Sequence, residues 1–191
     1  NMIKFEGGNS EIFHADLSNS DSASNLINDV KSRLGPITGL VNNASMFIYD
    51  DISNLTSNLW DSHMNINAKA PALLIKELSK STQNNERASV VNILDQKIAN
   101  PSADHISYTA SRYALLGLTD ALARGLAPNI RINAVAPGHT MPSDDQSTIG
   151  FNKAQNESPL GFGPSPNDIA QAVSFLINAR AITGQIIYVD C

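Results

Sequence analysis

The feature that most constrains this chain is an alternation of short β-prone runs with longer stretches of helical spacing. Ile37 to Val41, Ser89 to Leu94 (SVVNIL), Ile130 to Val135 and Gln185 to Val189 are short, apolar and rich in β-branched residues. Between them the apolar residues fall three and four apart. Ser20 to Leu34 carries Leu26, Ile27, Val30 and Leu34, and it stops at the helix-breaking pair Gly35-Pro36. Ser57 to Ser79, capped by Thr56 or Ser57, and Pro166 to Asn178 are also expected to be helical. So is Ser107 to Leu126, with Ala114, Leu115, Leu118, Leu122 and Leu126 on its apolar stripe. A further short run, Glu11 to Ala15, is expected as a strand ending at Asp16. Strands joined by helices of this length cannot be hairpin neighbours. They pair in parallel through right-handed crossovers, with helices covering both faces. The fold class is therefore α/β.

Composition narrows the function. The net charge is -5, and the 13 basic residues are scattered rather than gathered into a stripe, which argues against a nucleic-acid partner. No apolar run approaches the roughly 20 residues that span a bilayer, and no leader-like segment opens the chain, so a cytoplasmic protein without a membrane partner is expected. With Cys191 as the one cysteine, neither an intrachain disulfide nor a thiolate metal cage is possible. His14, His63, His105 and His139 show no ligand spacing, so no metal is expected and they read as surface or core fillers. Charged residues make up 16% of the chain, below the usual ~25%, which suggests surface covered by another subunit.

One domain spanning 1–191 is expected. The chain opens at Asn1-Met2 as if inside the tail of a helix and stops after Asp190-Cys191, so truncation at both ends is expected. No glycine-rich turn links a strand to a helix N-terminus: Gly7-Gly8 precedes Asn9-Ser10 and then a strand, which is the wrong order for a phosphate cradle. Gly138 to Pro164 differs from the rest, with turn formers and weak periodicity. Long excursions at strand ends are where α/β proteins hold substrates, and 138–164 is the expected substrate loop.

Tyr108 and Arg112, four apart on a helix, project from one face. A fixed cation draws a phenol's pKa down from its unperturbed value near 10. Alone the pair means little. Its context adds Asp95 just past the end of one strand, Asn42-Asn43-Ala44 at the end of a second and Pro137-Gly138 at the end of a third, all at the edge where open α/β sheets bind ligands.

The order Ala15-Asp16-Leu17, Asn42-Asn43-Ala44, Asn67, Asp95, Tyr108-X-X-X-Arg112, Pro137-Gly138 and Thr183-Gly184 resembles the short-chain dehydrogenase/reductase family over essentially the whole chain. The resemblance implies a Rossmann-like, doubly wound parallel sheet, here without its first βαβ phosphate-binding unit. It implies an oxidoreductase that uses NADP(H) or NAD(H) on a small-molecule substrate, and a homodimer or homotetramer. Tyr108 matches the proton donor, and Asn67 the residue that keeps a kinked helix and a water chain in place. Asp16 with Leu17, Asn43 with Ala44, Pro137, Gly138, Tyr108 and Arg112 match cofactor-binding positions. Asp95 stands where a serine is usual, which is similar to pteridine reductases and dihydropterin reductases. Leu126-Ala127-Pro128, Thr140-Met141-Pro142-Ser143 and Ser158-Pro159-Leu160-Gly161 resemble that branch too. Arg112 stands where the family has lysine: it keeps the charge but has a larger, planar fork. The alternative expectation is an impaired homologue that binds no cofactor, resting on Arg112 and the missing glycine-rich turn.

Overall fold

The computed structural model describes residues 3, 7–82, 86–143 and 146–191. Four strands, β1 (Gly39–Asn42), β2 (Ala88–Ile93), β3 (Ile130–Pro137) and β4 (Ile186–Val189), form one sheet in the order β1-β2-β3-β4, all parallel. The helices are α1 (Ser20–Leu34), α2 (Ser57–Met64), α3 (Ala70–Ser81), α4 (Ile106–Gly125), α5 (Thr148–Asn156) and α6 (Pro166–Asn178).

Alternation along the strands builds the core on both faces. Val90 and Ile132 pack with Ile75 and Leu78 of α3 and Ala123 of α4, and Ala134 and Ala136 pack with Leu115 of α4. The intervening residues Val91, Ile93 and Val135 point the other way, onto Leu176 of α6. Period-two strands buried on both faces make the sheet doubly wound, as expected. Helix α6 starts where its sequence says it should: Ser165 and Asp168 form a reciprocal capping box, and Pro166 occupies the first turn.

Three expectations need correction. Glu11 to Ala15 forms no strand; it has no ladder partner among the described residues, Ile12 is 87% exposed, and Glu11 is drawn instead into an ion pair with Arg33. The helix expected over 57–79 is interrupted by a π turn, Asn65–Lys69, in which the Ala70 N–H reaches back to the Asn65 carbonyl. Pro71 lacks the N–H that would serve the Asn67 carbonyl in a regular helix, so the ladder slips by one residue at this point. The third difference lies in the 138–164 excursion. It contains α5, capped by the Ser147 hydroxyl, although among its described residues only Pro164 is buried. The helical tail expected at Asn1-Met2 falls outside the described residues.

Candidate active site

The carboxyl ends of β1 and β2 face the first half of α4 across a short gap, and the site fills it. Asn42 and Asn92 are register partners, and the Asn42 Nδ2 donates to Asn92 Oδ1 at 2.8 Å. Just beyond β2, Asp95 turns away from the sheet, and its Oδ1 accepts from the Lys97 N–H at 2.8 Å, capping a single 3₁₀ turn. This leaves Oδ2 free to accept from the Tyr108 hydroxyl at 2.7 Å. Tyr108 is 4% exposed, whereas Asp95 is half-buried.

Arg112 is buried below the tyrosine. Its Nη1 donates to the Ile93 carbonyl at 3.0 Å, its Nη2 donates to the Ser45 hydroxyl, and the guanidinium lies 4.9 Å from the Tyr108 ring centroid. Its Nε is buried without a partner among the described residues. The cation therefore sits on the ring face and is held by protein groups, while the hydroxyl faces a carboxylate. Burial raises the Tyr108 pKa above the ordinary tyrosine range; Arg112 opposes this, and Asp95 adds to it through its charge and hydrogen bond. The phenol is held in its protonated form, opposite to the direction expected from the Tyr-X-X-X-Arg spacing taken alone.

Asn67, at the centre of the π turn, is completely buried and ties four groups together. Its Oδ1 accepts from the Met46 N–H at 2.8 Å and the Ser45 hydroxyl at 3.3 Å. Its Nδ2 donates to the Met46 carbonyl at 2.9 Å and to Ser111 Oγ at 3.0 Å. A side-chain amide has about this many bonds to make, and the wider π turn is what brings it round to make them.

The remaining expected positions are arranged unevenly. Asn43 and Ala44 are exposed at the end of β1, and the Asn43 amide makes no hydrogen bond among the described residues. A cleft of about 500 Å³ opens beside Asn43 and Ile93, against Val41 and Val173. Pro137 pairs with Val189, and a Cβ on Gly138 would meet the Asp190 Cα at 2.8 Å, so the chain leaves β3 through a gap only glycine fits. Asp16 and Leu17 stand apart, in the turn before α1. Among the described residues Asp16 bonds to Ser18, Asn19 and Ser22, and the Ser18 bonds hold its carboxyl below the usual range.

Sequence reasoning missed the segment 45–50. Ser45 meets Arg112, Met46 meets Asn67, the Ile48 N–H donates to His63 Nε2 at 3.2 Å, and Asp50 accepts from Ser107. Phe47, 41% exposed, stacks on His105 (4.3 Å) and sets its edge against Tyr108 (4.6 Å). A signal was present: His63 and Asn67, like Ser107 and Ser111, are polar pairs four apart on helices that otherwise face the core. The rungs His63–Ser107 and Asn67–Ser111 share a sequence offset of 44, as two parallel helices in register require.

A parallel sheet covered on both faces, with a tyrosine–carboxylate pair at its carboxyl edge, defines the class as a Rossmann-like α/β protein. A family model described as enoyl-(acyl carrier protein) reductase matches residues 3–191. The chain belongs to the short-chain dehydrogenase/reductase family of oxidoreductases. It is 28% identical over 178 residues to the dihydromonapterin reductase of Klebsiella pneumoniae, covering 92% of this chain and 74% of that protein. Human dehydrogenase/reductase SDR family member 4 is 36% identical over 167 residues, covering 81% of this chain and 59% of that one. Among solved structures, FolM alternative dihydrofolate reductase 1 from Brucella canis, complexed with NADP, matches with a TM-score of 0.94 at 37% identity. That match covers 99% of this chain and 75% of the other. No helix among the described residues is long and apolar enough to cross a membrane.

Proposed function

We propose that this chain is an NADP(H)-dependent reductase of a pterin-like ring, with Tyr108 as proton donor and Asp95 as its partner. The observation that carries this is the 2.7 Å bond from the Tyr108 hydroxyl to Asp95 Oδ2, beside the partly exposed Phe47 ring that packs on Tyr108. A flat heteroaromatic ring suits a wall of that kind, and a ring nitrogen or carbonyl suits a carboxyl and a phenol side by side. The names of the Klebsiella and Brucella relatives support a reduced-pterin substrate, and the NADP in the Brucella structure supports the cofactor.

The residues present fit the nicotinamide end of a dinucleotide. Asn43 offers an amide with no hydrogen bond among the described residues, at a strand end that lines a cleft with Ile93, and Pro137-Gly138 ends β3 at the same carboxyl edge of the sheet. Arg112 serves indirectly, because both of its Nη atoms are engaged; it holds Ser45 and the end of β2 in place. The bound cofactor supplies hydride to the ring. Tyr108 supplies the proton, and since burial disfavours a lasting phenolate, the proton it gives is replaced through Asp95, the more exposed member of the pair.

The test is calorimetry with NADPH, followed by NADPH oxidation in the presence of a panel of 7,8-dihydropterins. Binding and turnover are the expected result. Binding without turnover on any dihydropterin removes the pterin assignment. Absence of binding removes the cofactor and leaves a homologue that performs no hydride transfer.

A further inference from the structure

A second polar chain lies behind Tyr108, and its members are buried: Asp50, His63 and Ser107 are each 0% exposed. The Ile48 N–H donates to His63 Nε2 at 3.2 Å, so that nitrogen is the acceptor and the ring proton resides on Nδ1. Nδ1 lies 2.6 Å from Ser107 Oγ, to which it donates, and the Ser107 hydroxyl donates in turn to Asp50 Oδ2. The Ser107 N–H also donates to Asp50, at 3.2 Å to Oδ2, and the Asp50 carbonyl accepts from the His105 N–H at 2.6 Å.

These bonds answer a local problem. Helix α4 begins at His105, which sits in the left-handed region (φ 51°) and offers no side-chain cap. The free N–H groups and positive end of a helix call for an acceptor, and here a carboxylate arrives from a different segment of the chain. Ser107 immediately precedes Tyr108, and the His63 ring packs edge-on to the tyrosine ring with centroids 6.1 Å apart. Burial lowers the His63 pKa, and His105 and Arg112 lower it further against the opposing pull of Asp50.

We propose that Asp50, Ser107 and His63 form a positioning relay that docks the segment 45–50 onto the N-terminus of α4 and so fixes Phe47 and Tyr108 relative to each other. The proposal rests on the proton-donor role given to Tyr108 above. None of the three touches the reacting atoms; they act through Tyr108 and the segment bearing Phe47. Freeing Ser107 lets the first turn of α4 shift, which moves the proton donor while leaving the strand ends at Asn43 and Gly138 in place.

The first measurement needs no turnover. In ¹⁵N-histidine NMR of the unmutated chain, with His63 assigned by its loss in His63→Gln, the ring should be the Nδ1–H tautomer and should titrate below an ordinary imidazole. An Nε2–H tautomer or an ordinary titration overturns the relay. With NADPH and a 7,8-dihydropterin, Ser107→Ala should lower kcat on the order of tenfold to a hundredfold at unchanged NADPH affinity. Ser107→Thr, which keeps the hydroxyl, should restore most of that loss. An unchanged kcat in Ser107→Ala, or an equal loss in both variants, overturns the relay. If the unmutated chain turns over no dihydropterin, the functional proposal fails, and the relay is decided by the Tyr108 ¹³Cζ resonance, assigned with Tyr108→Phe. That resonance should move in Ser107→Ala and return in Ser107→Thr; a resonance that stays put overturns the relay.

Discussion

Two regions frame the site and are built in opposite ways. The inner region, from Ser45 to Asp50 with the facing sides of α2, the π turn and α4, holds buried polar groups in a dense hydrogen-bond network. The outer region, 138–164, holds one buried residue among those described, and its helix α5 buries none. Phe162 is 54% exposed and Ile149 84%. In the inner region a change at Asp50, His63, Asn67, Ser107 or Ser111 removes a hydrogen-bond partner from a buried polar group, so geometry there is over-determined. In the outer region few contacts oppose change. Under the proposed function, Tyr108 delivers its proton from the densely bonded half, and the choice of substrate is assigned to the half that varies cheaply.

The strongest test of that division is Tyr108→Phe, which keeps the ring packing and removes the proton. Turnover should fall by on the order of a thousandfold with NADPH affinity retained, measured by single-turnover kinetics; residual activity near the original level would remove the inner region from the chemistry. Next comes Asn67→Ala, which removes the acceptor of the Met46 N–H and one partner each of the Met46 carbonyl and the Ser111 hydroxyl; it should lower unfolding stability by about 3 kcal/mol in urea titration. A loss comparable to a surface substitution would show that the network is not over-determined.

Acid offers a graded version. The His63 pKa is depressed in the folded chain, so below about pH 6.5 the unfolded chain takes up a proton that the folded chain refuses. Stability should therefore decline as pH falls through that value, by at most about 1.4 kcal/mol per pH unit from this group, and His63→Gln should flatten that part of the curve. The smallest expected effect belongs to the outer region. Phe162→Ala and Ile149→Ala should each leave stability within about 0.5 kcal/mol while shifting KM among dihydropterins. A large destabilisation from either would dissolve the contrast.

The same contrast governs what was legible in the sequence. Strands β1 to β4 and α6 were readable because each carries its own signal, whether a β-branched run or apolar residues at helical spacing. Asp95, Tyr108 and Arg112 could be gathered because strand ends of a parallel sheet share one edge. His63 was not readable, because its meaning depends on Ser107, 44 residues away. Asp50 caps a helix that begins far along the chain, and no local pattern announces a cap supplied from elsewhere. The run at Glu11 to Ala15 had strand propensity without a partner, and propensity alone does not make a ladder. The α5 helix lacked a buried face, which removed the periodicity that would have revealed it.

The π turn at Asn65–Lys69 has a consequence for how this protein tolerates editing. Deleting one residue there would bring the two flanking segments into a single α-helical register, with Pro71 still leaving one carbonyl without its N–H. Everything on its N-terminal side would then swing by roughly 100° about the helix axis. His63 would leave Ser107, and Asn67 would lose either Met46 or Ser111. The count of residues in that one turn, more than the identity of most of them, is what the site depends on.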